Sequence, residues 1–112
     1  MASQQSTADD VVEQAAGAGA VSARKMFGEY GLYCDGRFVG LICGDQLFIQ
    51  PTESGRAYLG TAAEGTPYPG AKPHLLIPGD AWDDAAFLAE LFRITAAALP
   101  VSAKRRRAGG AG

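Results

Sequence analysis

The chain has 112 residues, enough for one domain that removes about two-thirds of its unfolded surface from water. It has no run of about 18 apolar residues that could span a membrane, and its opening MASQQSTADD has no basic region followed by an apolar segment, so a cytoplasmic protein without a secretory signal is expected. The formal charge of −2 hides an asymmetry: residues 1–103 hold six basic against twelve acidic side chains, and an acidic body lacks the broad basic footprint of a nucleic-acid-binding domain.

Residues 1–6 are small and polar and are read as a disordered N-terminus. Thr7 can cap a helix whose first turn carries Asp9 and Asp10, where negative charge suits the helix dipole. Val11, Val12, Ala15 and Ala18 recur at helical spacing, and Gly17 and Gly19 end the helix.

Strands are expected near 22–28, 30–34, 37–43 and 46–50, cut by turn residues at short intervals. Asp35-Gly36 between apolar runs is a strong hairpin signal, and Gly44-Asp45 repeats it. Two-residue loops at both places set Cys34 opposite Arg37, Tyr33 opposite Phe38, Leu32 opposite Val39, Ile42 opposite Leu47 and Gly40 opposite Ile49. Regular alternation then puts Tyr33, Phe38, Ile42, Leu47 and Ile49 on one face, read as the core. Leu32, Cys34, Arg37, Val39, Leu41, Cys43, Gln46, Phe48 and Gln50 fall on the other.

After Pro51, Thr52 can cap a short helix in TESGRAYLGTA, although Gly55 and Gly60 each weaken it by roughly 1 kcal/mol relative to alanine. Residues 62–73 read as a loop rich in glycine and proline, and HLLIP as a fifth strand. A helix over about 83–98 follows, capped by Asp80 or Asp83, with Phe87, Leu88, Leu91, Ile94 and Ala98 as its apolar stripe. From Pro100 onward nothing is available to bury, and residues 100–112 are read as a disordered basic tail. The fold class is α+β: a two-layer sandwich of an antiparallel sheet, with a four-strand meander plus a fifth strand, and helices on one face in the order α-β-β-β-β-α-β-α. Residues 7–99 form the domain.

The residues capable of chemistry do not converge in the sequence. Cys34 and Cys43 fall on one face at opposite ends of a strand pair, roughly 20 Å apart at about 3.3 Å per residue, whereas a disulfide needs Cα atoms within about 7 Å. Both are expected as free thiols, and with one distant histidine they are too few for a zinc site. His74 has no nucleophile or carboxylate beside it in sequence and reads as structural or merely exposed. Asp83 and Asp84 are adjacent on a helix and so do not face one another; they suit a helix start. Residues 65–72, GTPYPGAK, only resemble a phosphate loop: the spacing is one too long, no serine or threonine follows Lys72, and two prolines remove backbone donors. Arg24 and Lys25 can guard a strand edge or bind an anion or a partner. Lys104, Arg105, Arg106 and Arg107 would give at most weak, salt-dependent binding of nucleic acid. No cofactor or metal is implied.

The block from Ala23 to Gln50 also resembles the TfoX N-terminal domain family. The resemblance rests on Arg24, Lys25, Met26, Phe27 and Gly28, then Tyr30-Gly31-Leu32-Tyr33, the Asp35-Gly36 turn, Gly40-Leu41 and the run from Asp45 through Leu47-Phe48. Lys72-Pro73, Pro78 and the last helix also fall where the family has them, so the similarity covers roughly residues 8–99. It implies the α+β fold read above. The family includes the N-terminal half of regulators that help induce bacterial competence genes, and small stand-alone proteins. This chain departs from the regulators by ending without their C-terminal domain and by carrying Gln50 where relatives often have lysine, which points away from a direct competence role.

The expected function is therefore a non-enzymatic regulatory or protein-interaction domain. Its candidate surface is the second sheet face, Leu32, Val39, Leu41 and Phe48, rimmed by Arg37, Gln46 and Gln50, which would meet a protein partner or a second copy in a homodimer unless residues 51–72 or the first helix cover it. The rival readings are a nucleic-acid accessory protein using the basic tail and a small enzyme with convergent polar groups in a pocket.

Overall fold

Both hairpin signals close as the turn residues dictate. In the computed structural model, which describes residues 4–26, 29–60 and 63–99, Asp35 and Gly36 have φ of 52° and 82°, and Gly44 and Asp45 both have 59°. Positive φ at both central positions is the type I′ geometry, whose twist matches that of the flanking strands. The chain runs through α1 (Gln5–Gln14), a 3-10 turn (Ala16–Ala18), β1 (Val21–Met26), β2 (Glu29–Cys34), β3 (Arg37–Cys43), β4 (Gln46–Ile49), α2 (Glu53–Leu59), β5 (Ala63–Gly65), β6 (His74–Ile77), a second 3-10 turn (Gly79–Asp83) and α3 (Ala85–Ala97). The strands form one antiparallel sheet in the order β1-β2-β3-β4-β6-β5. The α+β class stands, with one strand more than expected: β5 arises inside the segment read as a loop and pairs with β6. No described helix is long and apolar enough to cross a membrane.

The sheet departs from regular alternation at one point. Leu32 lies opposite Gly40 but Tyr33 lies opposite Phe38, so Val39 is an extra residue on β3, a β-bulge. Beyond the bulge the expected register holds, with Ile42 opposite Leu47 and Gly40 opposite Ile49. Before it every side chain changes face. Leu32, Cys34 and Val39 enter the helix-covered core, whereas Phe38 packs on the opposite face. The expected pairing of Leu32 with Val39 and the core position of Phe38 are thus corrected by a single inserted residue. A Cβ on Gly40 would sit 2.3 Å from the carbonyl oxygen of Phe48, so only glycine fits beside the bulge.

The main core joins Ala8 and Val11 of α1 and Ala15 just after it, Leu32, Val39, Ile42, Leu47, Ile49, Leu75 and Ile77 of the sheet, and Leu88, Leu91, Phe92 and Ala96 of α3. The stripe on α3 is rotated from the expected one: Phe92, Thr95 and Ala96 are buried, Phe87 is half-buried, and Ala98 is exposed. At its start Asp84, rather than Asp80 or Asp83, accepts the amide of Phe87. Residues 80 and 83 belong to the preceding 3-10 turn. Thr52 caps α2 as expected, accepting from the Gly55 amide at 3.0 Å. Gly55 is itself buried, since a Cβ there would meet the hydroxyls of Thr52 and Thr95.

The turn aspartates also tie down segments that the sequence left loose. Asp35 Oδ1 accepts the amide of Ala20 at the start of β1. Asp45 Oδ1 accepts the amide of Gln4 at 3.0 Å and the hydroxyl of Thr7 at 2.9 Å. Thr7 is therefore not the cap of α1; Gln4 occupies that position, and a carboxylate from the β3–β4 turn holds it.

Candidate functional site

The face of the sheet away from the helices carries its own small apolar cluster. Leu41, Cys43 and Phe48 are buried there, with Phe38 and Leu76 packed against them. Of the residues expected on this face, Leu32 and Val39 are absent, both at 0% exposure in the main core. Leu41 and Phe48 are present, but at 6% and 4% exposure they are covered within the chain and form no open apolar patch. β5 supplies part of the cover, since a Cβ on Gly65 would lie 3.2 Å from the Phe48 ring. Arg37, expected on the rim, pairs with Cys34 on the helix side instead, and its Nε is buried without a hydrogen-bond partner.

Beside this cluster is a partly open cleft of about 740 Å³, within the usual range for ligand pockets. Phe38, Leu41 and Cys43 make its apolar floor, Pro67 and Tyr68 its lip, and Glu29, Gln50, Lys72 and His74 its polar positions. The bulge creates the floor by turning Phe38 outward. The β5–β6 connection raises the lip, and Tyr68 there is 54% exposed, the largest exposure among the described large apolar side chains.

The polar groups divide between two ends. Glu29 stands beside Cys43 and accepts the amide of Gly44 at 3.2 Å. Gln50, Lys72 and His74 gather at the other end, because the pairing of Ile49 with Leu75 brings Gln50 next to His74. His74 is only 5% exposed, and its Nδ1 lies 2.8 Å from the carbonyl oxygen of Lys72. A carbonyl only accepts, so Nδ1 carries a proton, and Nε2 is the ring nitrogen without a bond among the described residues. Lys72 is exposed and takes part in neither ion pair of the described residues, which are Arg56–Glu64 and Arg93–Glu90.

Cys43 and His74 share the cleft without facing each other. Cys43 pairs with Gln46, and His74 lies beside Gln50, four residues further along β4, or roughly 13 Å at about 3.3 Å per residue. Burial, with Glu29 nearby, pushes the Cys43 thiol up, which keeps it protonated and weakly nucleophilic. Cys34 is pushed up too, by burial first and by Asp35 second, with Arg37 opposing. Both thiols are free, as expected, although the bulge sends them to opposite faces rather than one. No group of three or more His, Cys, Asp or Glu with metal-holding geometry occurs among the described residues. Asp84 caps α3 and Asp83 is exposed, so that pair has no shared site.

Arg24 lies on the outer strand β1 with its guanidinium 5.6 Å from the Tyr33 ring centroid, a cation–π contact that occupies one of the two basic motif residues. Lys25 is exposed on the same strand, Gly31 is buried opposite Leu41, and Asp35 and Gly36 make the first turn. The side chain of Met26, together with Phe27, Gly28 and the tail residues Lys104, Arg105, Arg106 and Arg107, lies outside the described residues. The sequence reading missed the cleft because its lip comes from residues read only as a loop. A proline-flanked tyrosine just before the single histidine was the available signal.

Comparison with known proteins agrees with this architecture. The family model described as TfoX N-terminal domain matches residues 13–99. A protein of Spirochaeta aurantia, described as an uncharacterized 12.7 kDa protein in the trpE 5' region, is 40% identical over 106 residues, covering 95% of this chain and 91% of that protein. With a family match over residues 13–99 that takes in the motif block from Ala23 to Gln50, and a relative 40% identical over nearly the whole chain, the chain belongs to the TfoX N-terminal domain family.

Proposed function

We propose that this domain is a non-enzymatic, cytoplasmic regulatory domain that acts by binding, and that its working surface is the cleft on the uncovered sheet face. The observation that carries this reading is the lining: an apolar floor with an aromatic lip and polar groups set apart from one another. That is the composition of a recognition site, in which apolar area supplies affinity and a few polar groups fix orientation. Catalysis by Cys43 and His74 would require them in hydrogen-bond reach, and the register holds them apart. Two buried, free thiols suit a reducing compartment. The interaction role expected for Leu32, Val39, Leu41 and Phe48 passes to the cleft, which keeps only Leu41 of the four, because Leu32 and Val39 belong to the main core and Phe48 is covered.

The test is to titrate the isotope-labelled protein with small apolar probes and with fractions of its native cytoplasm, following backbone amide shifts. Shifts should concentrate on residues 38–43, 50 and 67–74, and Tyr68→Ala should weaken them while leaving the fold intact, since its side chain is largely exposed. Shifts confined to the helices or to the β1 edge would place the working surface elsewhere.

A further inference from the structure

Building on that reading of the cleft, we infer that its occupant is a small organic acid with an aromatic or branched aliphatic body and a hydrogen-bond donor beside its carboxylate. Three features carry this. The first is the floor: Phe38, Leu41 and Cys43, with Pro67 and Tyr68 above, offer apolar contact in a cleft of about 740 Å³, which leaves ample room for a body of one ring or one branched chain. The second is charge. The Lys72 ammonium at one end has no carboxylate partner among the described residues, whereas Glu29, at the far end, already accepts the Gly44 amide. An anion is therefore drawn to the Lys72 end, where the Gln50 side-chain amide can donate to it as well.

The third is His74. Its Nδ1 donates to the Lys72 carbonyl, and in that tautomer Nε2 is the acceptor. His74 lines the cleft and Nε2 has no partner among the described residues, so a ligand that brings a donor can pair with it there. A carboxylate at Lys72 with a hydroxyl or N–H on the adjacent carbon satisfies both residues, which are two apart in sequence. The other charged groups near His74 do not compete for that place. Glu64 on the neighbouring β5 is paired with Arg56, and Glu29 lies at the opposite end of the cleft.

The experiment is a set of calorimetric and amide-shift titrations with 3-phenyllactate and 2-hydroxy-4-methylpentanoate. Each is compared with its neutral amide and with the acid lacking the hydroxyl. The hydroxy acids should shift the amides of residues 50, 72 and 74. Loss of either the charge or the hydroxyl should weaken binding by about tenfold, the worth of one good hydrogen bond. Lys72→Met, at an exposed position, should erase the difference between acid and amide without altering the melting temperature. If acid and amide bind the cleft equally, the inference is overturned and the cleft remains a binding site. It is overturned in the same way if neither hydroxy acid shifts the cleft while neutral apolar probes do. If no probe of any kind shifts it, the reading of the cleft as the working surface falls as well. Acid-induced shifts confined to Arg24 and Lys25 would also overturn the inference.

Discussion

At the scale of single residues, two positions govern the architecture out of proportion to their size. Gly40 permits the close passage of β3 against Phe48, and Gly40→Ala should lower stability by about 1–3 kcal/mol or more, because the new methyl meets backbone that cannot move aside. Chemical denaturation measures this directly; an unchanged midpoint would mean that the strands separate more easily than the packing implies. Asp45 holds the start of α1, and its bonds from Gln4 and Thr7 pull its carboxyl below the ordinary range. A group whose pKa is depressed on folding stabilises above its unfolded value, near 3.9, and loses that contribution as pH falls through the folded one. Asp45→Ala should therefore speed hydrogen exchange of the α1 amides at neutral pH, and acidification of the wild type to about pH 3 should begin to do the same.

At the scale of elements, the sequence disclosed those whose signals are local. Both type I′ turns, the ends of β2, β3 and β4, and the Thr52 cap depend on neighbours in the chain, and each stands where its residues put it. The misplaced features depend on distant contacts. Val39 is an extra residue in the pairing of β3 with β2, and Gly40 inside a strand was the only local hint. The Asp84 cap follows a 3-10 turn that no periodicity announces, and the buried face of α3, rotated from the expected stripe, takes in Phe92 and Thr95 through contacts with distant elements. The cleft was illegible for the same reason, its floor being set by the bulge and its lip by a loop. The rotation makes a prediction of its own. Leu91, fully buried in both readings, should cost roughly 2–5 kcal/mol on replacement by alanine. Phe87→Ala should cost distinctly less, since Phe87 is half-buried and stacks on Tyr58 at 5.2 Å rather than filling the core. Equal losses in the two variants would put Phe87 back in the core.

At the scale of the whole molecule, each face of the sheet holds one free thiol, and the two together make stability sensitive to alkali. Burial raises both thiols in the folded state, so folding favours the protonated form. That contribution is complete below the unfolded thiol value, near 8.5, and is lost as pH rises through the folded one. The melting temperature should hold steady up to about pH 8 and fall beyond it, and a Cys34→Ala, Cys43→Ala double variant should flatten the decline. A decline of the same slope in the variant would assign it to other groups. The bulge has a consequence for comparing relatives. Removing Val39 would leave Phe38 and Gly40 opposite Tyr33 and Leu32 as they are now, with every later pair unchanged. A relative one residue shorter in this strand would thus keep both faces intact, so the gap belongs at Val39. An alignment that spread it into either hairpin turn would exchange core and cleft on paper while the two folds remained the same.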